Sequence, residues 1–332
     1  MLPAISVPGT KSLPAAEWNF CSEYSKLRRE KTMTFGIAAM IIVGASWTIF
    51  GGVMGKAPKE AVNISVLIFW TLLSALLVSL LCGFFQGFPQ ASANGLLIAF
   101  GSQIVSGLFN FWQLELMSRA MQKGHNGIVW SIVQSGFIFP FFMGIIFFGV
   151  PLTWVRAAAL LLALASIALS GISQGRAAGK WVTLALLSFL MTGISQSASN
   201  FPSYFSEAES VSSIWRTAAL ACGFILGAFT CNLGSISRFG REIVAGTKSL
   251  TVWKYCLILE GIDIVTNYFF LYPGMDALSR ASAGAVAYPL MVSSCLLVFD
   301  LYSLIVLREK HSFIQWLALV LCILAVIGLS LP

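Results

Sequence analysis

Ten apolar stretches, each long enough to cross a lipid bilayer as a helix, dominate this chain: Thr34–Met54, Val62–Phe85, Gly95–Met117, Gly127–Phe148, Leu152–Ile172, Trp181–Asn200, Val211–Cys231, Trp253–Pro273, Ala281–Leu307 and Ser312–Leu331. A bilayer core is crossed by about 20 apolar residues in helical form. Lipid offers the backbone no hydrogen-bond partners, and these runs are too long for barrel strands. The expected fold class is therefore all-α and integral to the membrane, with ten transmembrane helices. Composition agrees: 58% of residues are hydrophobic and 10% charged, with a mean hydropathy of +0.85. A soluble domain carries ~25% charged residues, so a cytosolic enzyme, a disordered scaffold and an ordinary nucleic-acid binder are excluded. The net charge of +7 comes from basic residues scattered at the ends of the runs, as expected of loops beside anionic lipid. The chain reads as a multi-pass protein of the bacterial inner or cell membrane.

The connections are mostly short, with Gly, Pro or charge at the joints, as in Gly55-Lys56-Ala57-Pro58 and Gly149-Val150-Pro151. Asn232–Val252 is longer; it carries Arg238, Arg241, Glu242 and Lys248 and suits a helix lying in the membrane interface. Residues 1–33 are polar, lack a continuous apolar core and end in Lys26-Leu27-Arg28-Arg29-Glu30-Lys31, which does not suit a secretory signal. Two readings stay open for them: a disordered basic tail, or translation from Met33. The seven cysteines contain no C-x-x-C pair and read as small hydrophobes rather than disulfide or metal partners.

Sliding the sequence by 157 residues superposes the third and fourth runs on the eighth and ninth without a gap. Asn110 falls on Asn267, Leu114 on Leu271, Ala120 on Ala277, Gly127 on Gly284 and Val129 on Val286, while Phe111/Tyr268 and Lys123/Arg280 match in kind. The polar residues match as well: Gln103 falls on Glu260 and Ser106 on Asp263. Each triplet is spaced i, i+3, i+7 and shares one helix face. The expected organisation is residues 34–172 as one five-helix repeat and 181–331 as the other. A unit with an odd number of helices re-enters the membrane from the opposite side when repeated, so a 5+5 inverted repeat follows, with a site near the midplane.

The stretch Ala120-Met121-Gln122-Lys123 … Gly127 … Pro140 … Gly149-Val150-Pro151-Leu152-Thr153-Trp154, closing on Ser170-Gly171, has a second copy. That copy is Ala277-Leu278-Ser279-Arg280 … Gly284 … Leu307-Arg308-Glu309-Lys310 … Phe313-Ile314-Gln315-Trp316. With ten runs as five plus five, this pattern resembles the drug/metabolite transporter superfamily in its EamA-like ten-helix form, over residues 34–331. The resemblance implies a secondary carrier. The acid usual before the last helix of each half is matched by Glu309, whereas Val150 or Pro151 stands there in the first half. Lys56, Lys59 and the segment Asn110 to Arg119 resemble the rhamnose–proton symporter branch.

Charge inside a membrane marks function or pairing, because an ionised side chain at a helix centre costs ~2.5–3.5 kcal/mol. The candidates are Glu115, Arg156, Arg216, Glu260, Asp263 and Asp300. Asp263 lies mid-run with Glu260 one turn away; two carboxylates so close repel, so at least one is expected to hold a proton at neutral pH. Asp263, Glu260 and Asp300 are the proton-coupling candidates. The competing reading is that Glu260 or Asp263 pairs with Arg216 and only holds helices together. Glu115 and Arg119 suit a local i, i+4 pair, and Arg156 and Arg216 are near enough to helix ends to snorkel. Substrate-binding candidates are Gln103, Asn110, Asn267, Gln196 and Arg216 for polar contacts, with Trp47 and Trp112 for stacking; Asn and Gln also serve as glue between helices. His125 and His311 have no metal-ligand partners, and no phosphate loop, zinc-protease or nucleophile-elbow motif occurs. No cofactor, metal site or nucleic-acid partner is expected.

The expected function is proton-coupled transport of a small polar or amphipathic metabolite (sugar, amino acid or drug-like) by alternating access, with solute, H+ and the bilayer as partners and a monomer or homodimer as the assembly. The alternative is a membrane-embedded enzyme acting on a lipid or isoprenoid through Glu260 and Asp263. Two orientation signals disagree. Basic residues concentrate in the odd-numbered loops (Lys56, Lys59, Arg119, Lys123, Arg238 and Arg241 among them), which places those loops inside and both termini outside. The basic N-terminal tail and the family resemblance imply termini inside.

Overall fold

The computed structural model describes residues 15–123, 126–172, 180–305 and 313–331. Every regular element among them is helical. In chain order these are α1 (Ala15–Lys56), α2 (Ile64–Gln86), α3 (Ala93–Met121), α4 (Asn126–Gln134), α5 (Ile138–Phe148), α6 (Trp154–Ile172) and α7 (Lys180–Asn200). There follow α8 (Ser213–Cys231), α9 (Ile236–Gly246), α10 (Leu250–Thr266), α11 (Tyr272–Arg280), α12 (Ala287–Ile305) and α13 (Phe313–Ser330). Among the described residues, 6 helical stretches are long and apolar enough to cross a membrane, and shorter apolar helices cover Ile132–Phe148, Trp154–Leu169, Gly284–Val298 and Trp316–Leu329. Large apolar side chains also face outward along the helices, including Leu77, Phe84, Leu97, Phe147, Leu161 and Leu257. A surface so apolar suits lipid rather than water. The chain is a helical multi-pass membrane protein.

Local chemistry sets the boundaries. Side-chain oxygens of Asn63, Ser92 and Ser249 accept from backbone N–H groups in the first turns of α2, α3 and α10, satisfying donors that the helix itself leaves unpaired. Gly149 ends α5 with φ 62°, a left-handed cap that glycine adopts without strain. Two of the apolar runs are not continuous α-helix. Pro140 lacks an N–H and its ring crowds the carbonyl four residues back, at Gly136; a 3₁₀ turn at Ser135–Phe137 separates α4 from α5. Pro273 acts alike on Phe269, and there the helix widens into a π turn over Asn267–Leu271 between α10 and α11. The ninth run begins its helix at Ala287 rather than Ala281, after a turn at Ser282 (φ 59°) and a 3₁₀ segment at Gly284–Val286. The segment from Ala15 to Met33, expected as a tail, is helical and continuous with α1; it contains no Pro or Gly and many good helix formers. The long loop contains the amphipathic α9, with Phe239 buried and Arg238 and Arg241 exposed.

The helices pack as a bundle of interlocking pairs. Helix α3 lies against α7 and α8, α1 against α11 and α12, α2 against α8 and α10, α7 against α4 and α5, and α6 against α13. Glycines allow the tightest approaches. A Cβ on Gly107 of α3 would run into the Leu220 carbonyl of α8, and one on Gly223 of α8 into the Ile104 carbonyl of α3. Gly44 of α1 faces the Met291 carbonyl of α12 in the same way. At one end of the bundle the α1–α2 joint meets α9, where Asn63 Nδ2 donates to Glu242 Oε2 at 2.7 Å. At the other end the α2–α3, α5–α6, α7–α8 and α11–α12 joints gather. There Trp215 Nε1 donates to the Gly87 carbonyl at 2.9 Å, and Ser92 Oγ to Glu207 Oε2 at 3.1 Å.

Candidate functional site

Between the helices lies a cavity of about 110 Å³, walled by α1, α2, α3, α4, α7, α8, α10, the π turn and α12. Its residues follow helical periodicity. Helix α3 contributes Ser106, Asn110 and Leu114; α10 and the π turn contribute Asp263, Asn267 and Leu271. Both sets step by four residues, one turn at a time along a single face. Helix α1 gives Trp47, Phe50 and Met54, and α7 gives Thr192, Ser195, Gln196 and Ser199. Trp130 and Gln134 from α4 and Tyr288 from α12 complete the part with most chemistry.

Several of these polar groups are already committed. Thr71 and Thr192 hydroxyls donate to carbonyls one turn back, Leu67 and Ser188. Ser195 Oγ donates to the Ser106 carbonyl at 3.0 Å, tying α7 to α3. Others are not. Asp263 Oδ2, Asn267 Nδ2, Gln134 Oε1 and Gln196 Oε1 are buried without a hydrogen-bond partner among the described residues. Each such atom costs ~1–3 kcal/mol, so four around one cavity form a polar lining with capacity to spare. The aromatic side is built from Trp47 and Tyr288, whose ring centroids are 6.3 Å apart and tilted by 44°, and from Trp130, which packs over Gly51 of α1.

Not every candidate from the sequence reaches this cavity. Asp263, Asn110, Asn267, Trp47 and Gln196 line it. Gln103 lies one turn beyond, donating through Nε2 to the Ser199 carbonyl at 3.0 Å and accepting through Oε1 from the Tyr272 hydroxyl at 3.0 Å. Trp112 donates to Thr230 Oγ1 at 3.2 Å on the far side of α3. Glu260 is buried on α10 but does not line the cavity. The side chain of Asp300, and the residues Glu309, His125 and His311, lie outside the described residues.

Arg216 corrects two expectations. It does not snorkel, being 0% exposed, and its partner is neither Glu260 nor Asp263. Its Nη1 donates to Asp276 Oδ1 at 2.9 Å and its Nη2 to the Ala208 carbonyl at 2.9 Å. A guanidinium with a nearby buried carboxylate gains more from that pair than from reaching for the interface. Arg156 is buried as well, with Nη1 donating to the Pro151 carbonyl at 3.4 Å. Asp276 escapes a hydropathy reading because the eighth apolar run ends at Pro273, yet α11 carries the helix on to Arg280. Gln134, Trp130 and Tyr288 are among the other residues missed; a lone glutamine amid Ile132, Val133 and Phe137 was the available signal.

The two ends of the cavity differ. Beyond Met54 a second, wider space of about 600 Å³ opens, lined by Lys59, Asn63, Glu115, Arg119 and Gln122 among others. There Arg119 Nε pairs with Glu115 Oε1 at 2.7 Å, as the i, i+4 spacing leads one to expect, and Glu115 Oε2 accepts from Ser65 Oγ at 2.7 Å. At the opposite end the way is packed shut. The Gln103–Tyr272 contact and the Arg216–Asp276 pair close it, and Phe148 stacks on Tyr204 at 4.0 Å between centroids with 5° between planes.

No family model and no curated protein matches the chain. Its fold is similar to that of a solved structure described only as "Crystal structure of protein", with a TM-score of 0.61 at 12% sequence identity, over 91% of this chain and 98% of that one. A likeness at that identity speaks for the fold alone.

Proposed function

We propose that the chain is a secondary active carrier: ten spans arranged as two inverted five-helix halves, moving a small polar or amphipathic metabolite in a proton-coupled cycle of alternating access. In this reading the spans are α1, α2, α3, α4–α5 and α6, then α7, α8, α10–α11, α12 and α13. The 6 long stretches and the four shorter apolar helices supply the segments. The neighbour relations support the symmetry, because each contact has a counterpart five spans on. The third span packs on the sixth as the eighth does on the first, the first on the ninth as the sixth on the fourth, and the second on the eighth as the seventh on the third.

The observation that carries the reading is the cavity wall itself. Ser106, Asn110 and Leu114 line it, and so do Asp263, Asn267 and Leu271, which are the same positions displaced by 157 residues. A site built from equivalent faces of two inverted halves is the arrangement in which rocking exchanges one open end for the other. A wide space beyond Met54 at one end and close packing at the other fit one state of such a cycle. Asp263 is the group that suits proton coupling, since a carboxyl facing a polar cavity deep in a span binds and releases a proton as its access changes. The reading agrees with the resemblance to the drug/metabolite transporter superfamily.

The test is reconstitution in liposomes with a pH-sensitive dye inside. Solute addition should change internal pH in the wild type. Asp263→Asn should reduce that coupled flux to background while leaving folded yield and helical content close to wild type. Loss of folding instead would assign Asp263 a structural role, and wild-type flux in the variant would remove it from coupling.

A further inference from the structure

The lining of the central cavity is lopsided in charge and in hydrogen-bonding sense. Among the described residues Asp263 is the one ionisable acid or base group in the wall apart from the Tyr288 phenol, and no Lys, Arg or His joins it. The buried atoms left without partners are three acceptors, Asp263 Oδ2, Gln134 Oε1 and Gln196 Oε1, against one donor, Asn267 Nδ2. The same wall holds the Trp47–Tyr288 ring pair and Trp130. We propose that this cavity takes an organic monocation, a protonated amine carried on an apolar or aromatic body.

Each element answers one part of such a molecule. An ammonium supplies the N–H donors that the three acceptors lack and the charge that Asp263 balances. Aromatic faces within ~6 Å attract a cation through the ring quadrupole and accept an apolar body equally well. The competing solutes meet obstacles. An anion would face Asp263 with no cation to offset it. A polyol needs many free protein hydroxyls and amides, yet Thr71, Thr192 and Ser195 already donate to backbone carbonyls. Arg216, the sequence's candidate for an anionic group, is held at the closed end by Asp276.

The assignment rests on the carrier reading for its meaning, but binding alone tests it. The full-length protein in nanodiscs is titrated with 2-phenylethylammonium and with its neutral counterpart 2-phenylethanol at fixed pH and ionic strength, by calorimetry. The ammonium should bind about tenfold or more tighter than the alcohol, and Asp263→Asn should bring the two within about threefold. Gln134→Met, which removes one acceptor and keeps the carboxylate, should weaken the ammonium alone; it keeps the test decisive should Asp263→Asn fail to fold. Equal binding of the two probes, binding of neither, or a preference that survives Asp263→Asn would overturn the proposal. Proton-coupled flux of a neutral solute without ammonium binding would remove the cation and keep the carrier. Asp263-dependent ammonium binding without flux under any gradient would keep the cation site and remove the carrier.

Discussion

Both ends of the central cavity carry an arginine–carboxylate pair, and the two pairs differ in almost every respect except chemistry. At the closed end Arg216 and Asp276 come from different helices, with side chains 1% and 11% exposed. At the wide end Arg119 and Glu115 sit one turn apart on α3, with side chains 53% and 11% exposed. The first pair ties α8 to α11; the second ties α3 only to itself, and reaches α2 only through Ser65. Arg119 and Asp276 are 157 residues apart, the offset that aligns the third and eighth apolar runs, so aligned positions hold opposite charges in opposite settings. The comparison teaches that burial and connectivity, not the count of ion pairs, decide what an ion pair does. A buried pair broken on one side leaves a charge in a low-dielectric setting, at ~3–5 kcal/mol. A pair within one helix whose arginine is half-exposed is screened by water, toward the ~0.3–0.5 kcal/mol of surface i, i+4 pairs.

Three substitutions put that contrast under strain. Arg216→Ala should have the largest effect, lowering stability by about 3–5 kcal/mol as read from loss of helicity on titration with denaturing detergent. The paired replacement Arg216→Met with Asp276→Leu should recover most of that loss, because it removes both charges together. A single variant within about 1 kcal/mol of wild type would mean that the closed end is not held by this contact. Next comes Gly223→Ala, where the added Cβ meets the Ile104 carbonyl of α3. Overpacking of that kind costs about 1–3 kcal/mol, and the same assay should place it between the two ion pairs. The smallest effect belongs to Arg119→Ala, about 0.5 kcal/mol or less and reduced further by salt. A larger loss would show that the wide end is braced as firmly as the closed one.

Hydropathy located the bodies of the spans, because a run of apolar residues and a helix in lipid are nearly the same statement. It missed what prolines do inside them. The 3₁₀ turn before Pro140 and the π turn before Pro273 are local steric events that leave average hydropathy untouched. It also misjudged depth. The shared face of Gln103, Ser106 and Asn110, and of Glu260, Asp263 and Asn267, was legible from spacing. Where along that face the cavity stops was not, since Gln103 is only ~4.5 Å further along the axis than Ser106 and is stopped there by Tyr272 and Ser199. Asp276 was hidden for a related reason: an aspartate past a proline looks like loop until its arginine partner, 60 residues away in sequence, is seen beside it.

The widened turn at Asn267–Leu271 gives the α10–α11 stretch a pivot that α3, unbroken over 29 residues, does not have. A π turn departs from the regular hydrogen-bond ladder and bends more readily than the α-helix on either side of it. Below the pivot, α11 is anchored through Asp276; above it, α10 carries Asp263. Release of the anchor would therefore swing one arm against the other about Asn267, so that a latch undone inside the closed end is felt as a change of aim by a carboxyl group about one turn past the fulcrum.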